Sequence, residues 1–142
     1  MTLHETALHE LATSHALRGL AHVDLSSCTI DCKSVTAGAS FAAELPNCAR
    51  LERLDLAYNS LGDNFARALA RHLPACRTLT RLDLSTTSLT DAGVCQLAAD
   101  IPRCPGLVHL QLHGNRFTAE TAEVMRAAWR TTHPHDVGLR LD

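Results

Sequence analysis

The 142-residue sequence has no surplus of either charge: 13 Lys and Arg stand against 15 Asp and Glu, a formal net charge of −2 with the histidines neutral. That balance builds no field to draw the chain to nucleic-acid phosphates or an anionic membrane, so neither is expected as a partner. No apolar run approaches the roughly 18 residues that a membrane-spanning helix requires. The first twenty residues are broken by His4, Glu5, His9, Glu10 and His15, so they lack the apolar centre of a secretory signal. A soluble, cytoplasmic protein is the expectation. Poor core content, which makes short secreted chains depend on disulfides, is also missing, since 46% of the residues are hydrophobic. The six cysteines are therefore expected as thiols. With 20% of residues charged there is no bias towards disorder, and one folded unit is expected.

What the sequence does have is a repeat. Leucine-type residues spaced as LxxLxL, followed by a small or polar residue and one more apolar residue, occur four times. The copies run through Leu20, Val23, Leu25, Cys28 and Ile30; Leu51, Leu54, Leu56, Asn59 and Leu61; Leu79, Leu82, Leu84, Thr87 and Leu89; and Leu107, Leu110, Leu112, Asn115 and Phe117. Their starts are separated by 31, 28 and 28 residues.

Between copies the period changes to that of a helix. Val94, Leu97, Ala98 and Ile101 form an i, i+3, i+4, i+7 stripe, matched by Ala66, Leu69, Ala70 and Leu73 and by Gly38, Phe41, Ala42 and Leu45. The three additional residues of the first repeat fall in a loop around residues 31–34. Thr90 with Asp91, and Thr118 with Glu120, supply acceptors and negative charge where helices should begin. Each unit is thus a strand, a turn and a helix that cannot bury its own apolar face. Stacking buries it, giving an α/β solenoid with a curved parallel sheet on the concave side and helices on the convex side.

These residues resemble the leucine-rich-repeat family, and the 28-residue period with a full helix is similar to its ribonuclease-inhibitor-like subclass. The resemblance implies that Asn59 and Asn115 hydrogen-bond the turn backbone inside the stack, a place where Cys28 is a familiar substitute. Thr87 departs from the pattern, so the third turn is expected to be held less firmly or through water. The expected array spans residues 20–142, with about four repeats and a partial fifth.

The segment 1–19 is expected to form a capping helix, with Leu3, Ala7, Leu8, Leu11 and Ala12 at helical spacing. At the other end Arg126 replaces a small residue, Trp129 replaces an aliphatic one and is expected in the core, and only Val137, Leu139 and Leu141 mark a fifth strand. Its far edge is expected either to pair with something or to continue into a longer solenoid.

Strand side chains alternate, so residues between the leucines stack in columns on the concave face. His22, Arg53, Arg81 and His109 form one column, and Asp24, Asp55, Asp83 and Gln111 the next. Ser26, Ala57, Ser85 and His113 form a third, and Arg140 extends the first or the second. One reading is a recognition surface for a protein, with Tyr58 as its only aromatic anchor. The other is that the arginines pair with the neighbouring aspartates and keep the solenoid soluble. The mixed signs argue against RNA.

Cys48, Cys76 and Cys104 recur at the repeat period as a ladder and are expected as small buried hydrophobes. Cys28 and Cys32 lack a second ligand pair for zinc. His4, His9, His15, His133 and His135 are expected on the surface, and no acid or nucleophile recurs beside His109 or His113. No catalytic residue, metal or cofactor is expected. The function that follows is a non-catalytic protein-binding scaffold. A structural subunit joined through the last strand edge, or an accessory like the Ran GTPase-activating proteins that resemble this repeat type, is the alternative. No family catalytic arginine maps onto Arg53 or Arg81.

Overall fold

The computed structural model describes residues 5–32 and 35–142, the side chains of Glu5, Thr6 and Val35 excepted. Leu3, His4, Lys33 and Ser34, which the expected first helix, surface histidines and first loop include, lie outside the described residues. Each LxxLxL motif yields one short strand around its second leucine-type residue, β1 His22–Asp24, β2 Arg53–Asp55, β3 Arg81–Asp83 and β4 His109–Gln111, and the partial fifth repeat adds β5 Leu139–Arg140. The central residue of the first four points inward and is buried. All five strands pair in parallel and in chain order, one repeat beside the next.

The helices are α1 Glu5–Thr13, α2 Val35–Glu44, α3 Gly62–His72, α4 Asp91–Asp100 and α5 Ala119–Arg130. The apolar stripes at helical spacing are buried in α2, α3 and α4 and continue into the residue that follows each helix. There a proline, Pro46, Pro74 or Pro102, ends the α-helix as one 3-10 turn, since its ring blocks the next helical hydrogen bond. The ladder cysteine follows. Cys48, Cys76 and Cys104 each aim Sγ at the carbonyl four residues back, 3.4–3.6 Å away. Each thiol thus meets the carbonyl four residues back that its own main-chain N–H, bonded to the residue three back, has given up.

Three expectations need correction. Leu20, the leading leucine of the first copy, is 45% exposed, because no earlier repeat covers it; Leu17 holds the buried place instead. Thr90 does not cap α4 with its own hydroxyl, which donates to Asp63 in the preceding repeat. His133 is not a simple surface residue: its ring stacks on Trp129 with centroids 4.0 Å apart. Thr118 does cap α5, accepting the N–H of Thr121 at 3.3 Å.

The turns after the strands alternate between two constructions. At Asn59 and Asn115 the amide spans two repeats. Asn115 Oδ1 accepts the N–H groups of Thr87 and Leu89, while its Nδ2 donates to the carbonyls of Leu84 and Leu112. Asn59 likewise accepts from Ile30 and donates to Leu25 and Leu56. In these turns only the preceding residue, Tyr58 or Gly114, is left-handed. At Cys28 and Thr87 both flanking residues are left-handed, with φ of 52° and 53° at Ser27 and Thr29 and 51° and 63° at Thr86 and Ser88. Thr87 lacks a side-chain acceptor long enough to reach the previous repeat. Its own main-chain carbonyl accepts the N–H groups of Leu61 and Gly62 instead, and its hydroxyl donates to Leu84 at 2.7 Å. Turning that carbonyl rotates the following peptide, which accounts for the positive φ of Ser88.

The two ends are built differently. Leu8, Ala12 and Leu17 bury against the first repeat, and Glu44 fastens the segment after α1 by accepting from Arg18 Nε at 2.7 Å. At the other end Trp129 is fully buried and donates its Nε1–H to the carbonyl of Val137 at 2.9 Å. Gly138 is obligatory here: its φ is +84°, and a Cβ would lie 1.9 Å from the carbonyl oxygen of Val108. That contact lets Gly138 hydrogen-bond Leu110 and seat β5.

Candidate functional site: the concave face

The strand register decides how the columns form. His22 lies opposite Arg53, Arg53 opposite Arg81, and Arg81 opposite His109. Asp24, Asp55, Asp83 and Gln111 follow in the same way, and Gln111 lies opposite Arg140. Arg140 therefore ends the acidic column rather than the basic one. The two columns line a shallow concavity of about 320 Å³.

Pairing between the columns is not what neutralises them. Among the described residues Arg53 and Arg81 have no ion pair, and His22 Nε2 lies 3.9 Å from Glu52. Instead each aspartate turns one oxygen back to its own chain. Asp24, Asp55 and Asp83 accept through Oδ1 the N–H of Ser26, Ala57 and Ser85, each at 2.9 Å. Ser26 and Ser85 add a hydroxyl donor to that oxygen. These short loops fix the carboxylate rotamers and leave the second oxygen, Oδ2, directed away from the bond.

The consequence differs along the column. The Ser26 hydroxyl and N–H hold the Asp24 carboxyl below its ordinary range. Asp55, where Ala57 provides only an N–H, is pushed up by burial and by the like charges of Asp83 and Asp24. Like charges facing each other across neighbouring strands are destabilising.

The third column is not part of the open face. Ala57 and Ser85 are buried, because the chain already bends inward to its turn there. His113 is half-buried, with Nδ1 enclosed and lacking a hydrogen-bond partner among the described residues. Tyr58 is 60% exposed but stands apart from the two columns, in a hollow shared with Asn59, Ser60, Thr86 and Ser88. Sequence reasoning missed the carboxylate loops, although Asp at the third strand position followed two residues later by Ser or Ala was a visible signal. It also missed Arg67, Arg71 and Arg103, which gather on the helical side.

The ladder cysteines Cys48, Cys76 and Cys104 are held as poor nucleophiles. Burial, first of all, pushes Cys76 up to about 12 and Cys104 up to about 11. Among the described residues no group of three or more His, Cys, Asp or Glu is placed to hold a metal ion. No helix among them is long and apolar enough to cross a membrane.

Comparison with known proteins supports the architecture. A family model described as "Leucine Rich repeat" matches residues 47–70 and 75–98. The structure is similar to that of Leiomodin-1 Actin-Binding Site 2, with a TM-score of 0.78 and 18% identity over 95% of this chain and 77% of that chain. The fold is a leucine-rich-repeat solenoid. The solenoid is also similar to the tropomodulin C-terminal domain of Caenorhabditis elegans, with a TM-score of 0.64 and 13% identity over 90% of this chain and 92% of that one. No curated protein sequence matches it. Leucine-rich repeats are in general protein-interaction modules, and the two columns occupy the inner face of this solenoid.

Proposed function

We propose that this leucine-rich-repeat solenoid is a non-catalytic binding module whose concave face engages a protein partner through His22, Asp24, Arg53, Asp55, Arg81, Asp83, His109 and Gln111, with Tyr58 and His113 at its margin. The observation that carries this reading is the absence of ion pairing for Arg53 and Arg81 among the described residues, although three carboxylates stand in the adjacent column. A surface that existed only to stay soluble would gain by letting those charges compensate one another. Binding by a complementary partner relieves both like-charged columns. Tethering of one oxygen of each carboxylate to its own backbone supports a binding rather than an acid–base role for the acidic column.

The 28-residue period and full helices support the ribonuclease-inhibitor-like subclass. Thiols packed at the ends of α2, α3 and α4 support a cytoplasmic setting. Actin is the first partner to assay, because one similar structure bears the name of an actin-binding site.

The test is affinity capture from the source cell with the intact chain beside an Arg53→Ala, Asp55→Ala, Arg81→Ala, Asp83→Ala variant, with purified actin as a separate arm. A protein retained by the first bait and lost from the second supports the concave face. Identical captures on both baits defeat it. A second reading, assembly through β5, is favoured by the position of that strand at the sheet edge and by Val137, 69% exposed beside it. A monomer by size-exclusion chromatography at high concentration counts against that reading.

A further inference from the structure

We infer that the occupant of the concave face is an α-helix of the partner, laid across the strands, with a row of carboxylates over Arg53 and Arg81 and an adjacent row of lysines or arginines over Asp24, Asp55 and Asp83. This inference rests on the concave-face reading and adds the shape and charge pattern of what binds.

The argument is one of spacing. The columns repeat once per strand, and neighbouring strands lie roughly 4.7–4.9 Å apart. An extended segment crossing the strands presents same-side residues only every 6.6–6.8 Å or so. Across three strands its charges drift by about 4 Å, most of one position, so they cannot meet three successive side chains. A helix presents a row at i, i+4 and i+7, rising 1.5 Å per residue and hence about 5.3 Å per step on average. Its drift over the same span is about 1 Å, which flexible arginine side chains absorb. An extended segment lying along a strand meets only one basic and one acidic residue.

The arrangement of charges selects the row pattern. Arg53 and Arg81 lie opposite one another with no ion pair among the described residues, so an anionic row neutralises two adjacent cations at once. Asp24, Asp55 and Asp83 each spend Oδ1 on their own chain, and the fixed rotamer holds Oδ2 ready for a cation. At the end of that column Arg140 reverses the sign. The helix's basic row should therefore stop, or turn acidic, where it reaches β5.

The probe is a pair of alanine-based peptides of about 20 residues, long enough to be helical in water, with identical composition. In one, glutamates occupy i, i+4 and i+7 and lysines the neighbouring i+1, i+5 and i+8. In the other, the same residues alternate within each row. A third probe carries the same charges at alternate positions of a β-branched, extended peptide. Titration calorimetry against the full chain should show the first peptide binding at least about tenfold more tightly than either of the others. Arg53→Ala with Arg81→Ala should erase that preference while leaving the circular dichroism of the chain unchanged. Equal binding of the two helical peptides overturns the row pattern. Tighter binding of the extended peptide, still lost in the double variant, overturns the helix while leaving the concave face intact. Failure of every peptide overturns the inference; if cellular capture also ignores Arg53 and Arg81, the concave-face reading falls with it.

Discussion

Asp63 Oδ1 accepts the main-chain N–H of Thr90 at 2.8 Å, so the first turn of one helix caps the start of the next. The same oxygen accepts from Gly93 at 3.1 Å. Asp91 repeats the relationship one repeat later, accepting the N–H of Thr118 at 2.7 Å. The Thr90 and Gly93 amides at the start of α4 and the Thr118 amide at the start of α5 are thereby satisfied from the preceding repeat, while Thr118 itself caps Thr121. Asp63→Ala should cost about 1–2 kcal/mol, the range for loss of a helix cap, while Asp63→Asn should cost less. Gly93→Ala should mimic the loss, because its Cβ would stand 2.3 Å from Asp63 Oδ1. The check is urea unfolding of the single and double variants. Fully additive losses would show that Gly93 does not act through the cap.

Much of the fold was legible because one pattern recurs at fixed spacing. The leucines, the helix stripes and the two charged columns all follow from periodicity. What could not be read are interactions that cross repeats. Asp91 looked like a helper for its own helix, and only the stacking brings it to Thr118. Leu20 matched the motif perfectly, but its burial required a neighbour that the first repeat does not have. The site was half legible for the same reason. Columns follow from alternation, whereas the choice of each aspartate between an arginine and its own backbone depends on rotamers.

Glu44 makes the start of the solenoid sensitive to acid. Arg18 first, with Asn47 and His15 assisting, holds its carboxyl at about 2, against an ordinary value of 4.5. Because the folded-state value is lowered, the stabilisation is complete above 4.5 and is lost as pH falls towards 2. The whole shift corresponds to about 3 kcal/mol, and screening around the exposed Arg18 and His15 reduces the expected contribution to about 1–2 kcal/mol. Glu44→Gln should lower the urea midpoint at about pH 6, and the difference from the parent chain should shrink as pH falls below 4.5 and close only at or below about 2. Parallel curves across that window would remove Glu44 as the cause.

Thr87 marks a repairable turn. Asparagine at this position has a similar volume, and its amide could accept from Leu61 and donate to Leu56, as Asn115 does one repeat later. The main-chain carbonyl of residue 87 would then be free to turn back, releasing Ser88 from its φ of 63°. Relief of one left-handed residue is worth about 1 kcal/mol, while the amide's bonds to Leu61 and Leu56 offset those that Leu61 and Gly62 now give to the carbonyl. Thr87→Asn should therefore raise the melting temperature, with an expected gain of about 1 kcal/mol. A lower melting temperature would mean that the left-handed pair is required by packing and is not a substitute for the missing amide.

Ala57 separates the electrostatics of the concave face from its packing. Ser26 and Ser85 each give their aspartate a hydroxyl hydrogen bond, and Ser85 is 2% exposed, so this column position accepts serine without strain. Ala57 is the place where that donor is missing, and Asp55 is the carboxyl pushed upward. A raised value means that the charged form costs stability at neutral pH and that the cost is relieved as pH falls through the folded-state value. Ala57→Ser should bring the Asp55 carboxyl down, read by its carbon-13 chemical shift during an NMR titration, and should flatten the stability profile in the acid range. It should also hold the Asp55 rotamer more firmly, so a partner cation at Oδ2 should be bound no less tightly. An unchanged Asp55 titration would show that burial, with crowding by Asp83 and Asp24, and not the missing hydroxyl, sets its value.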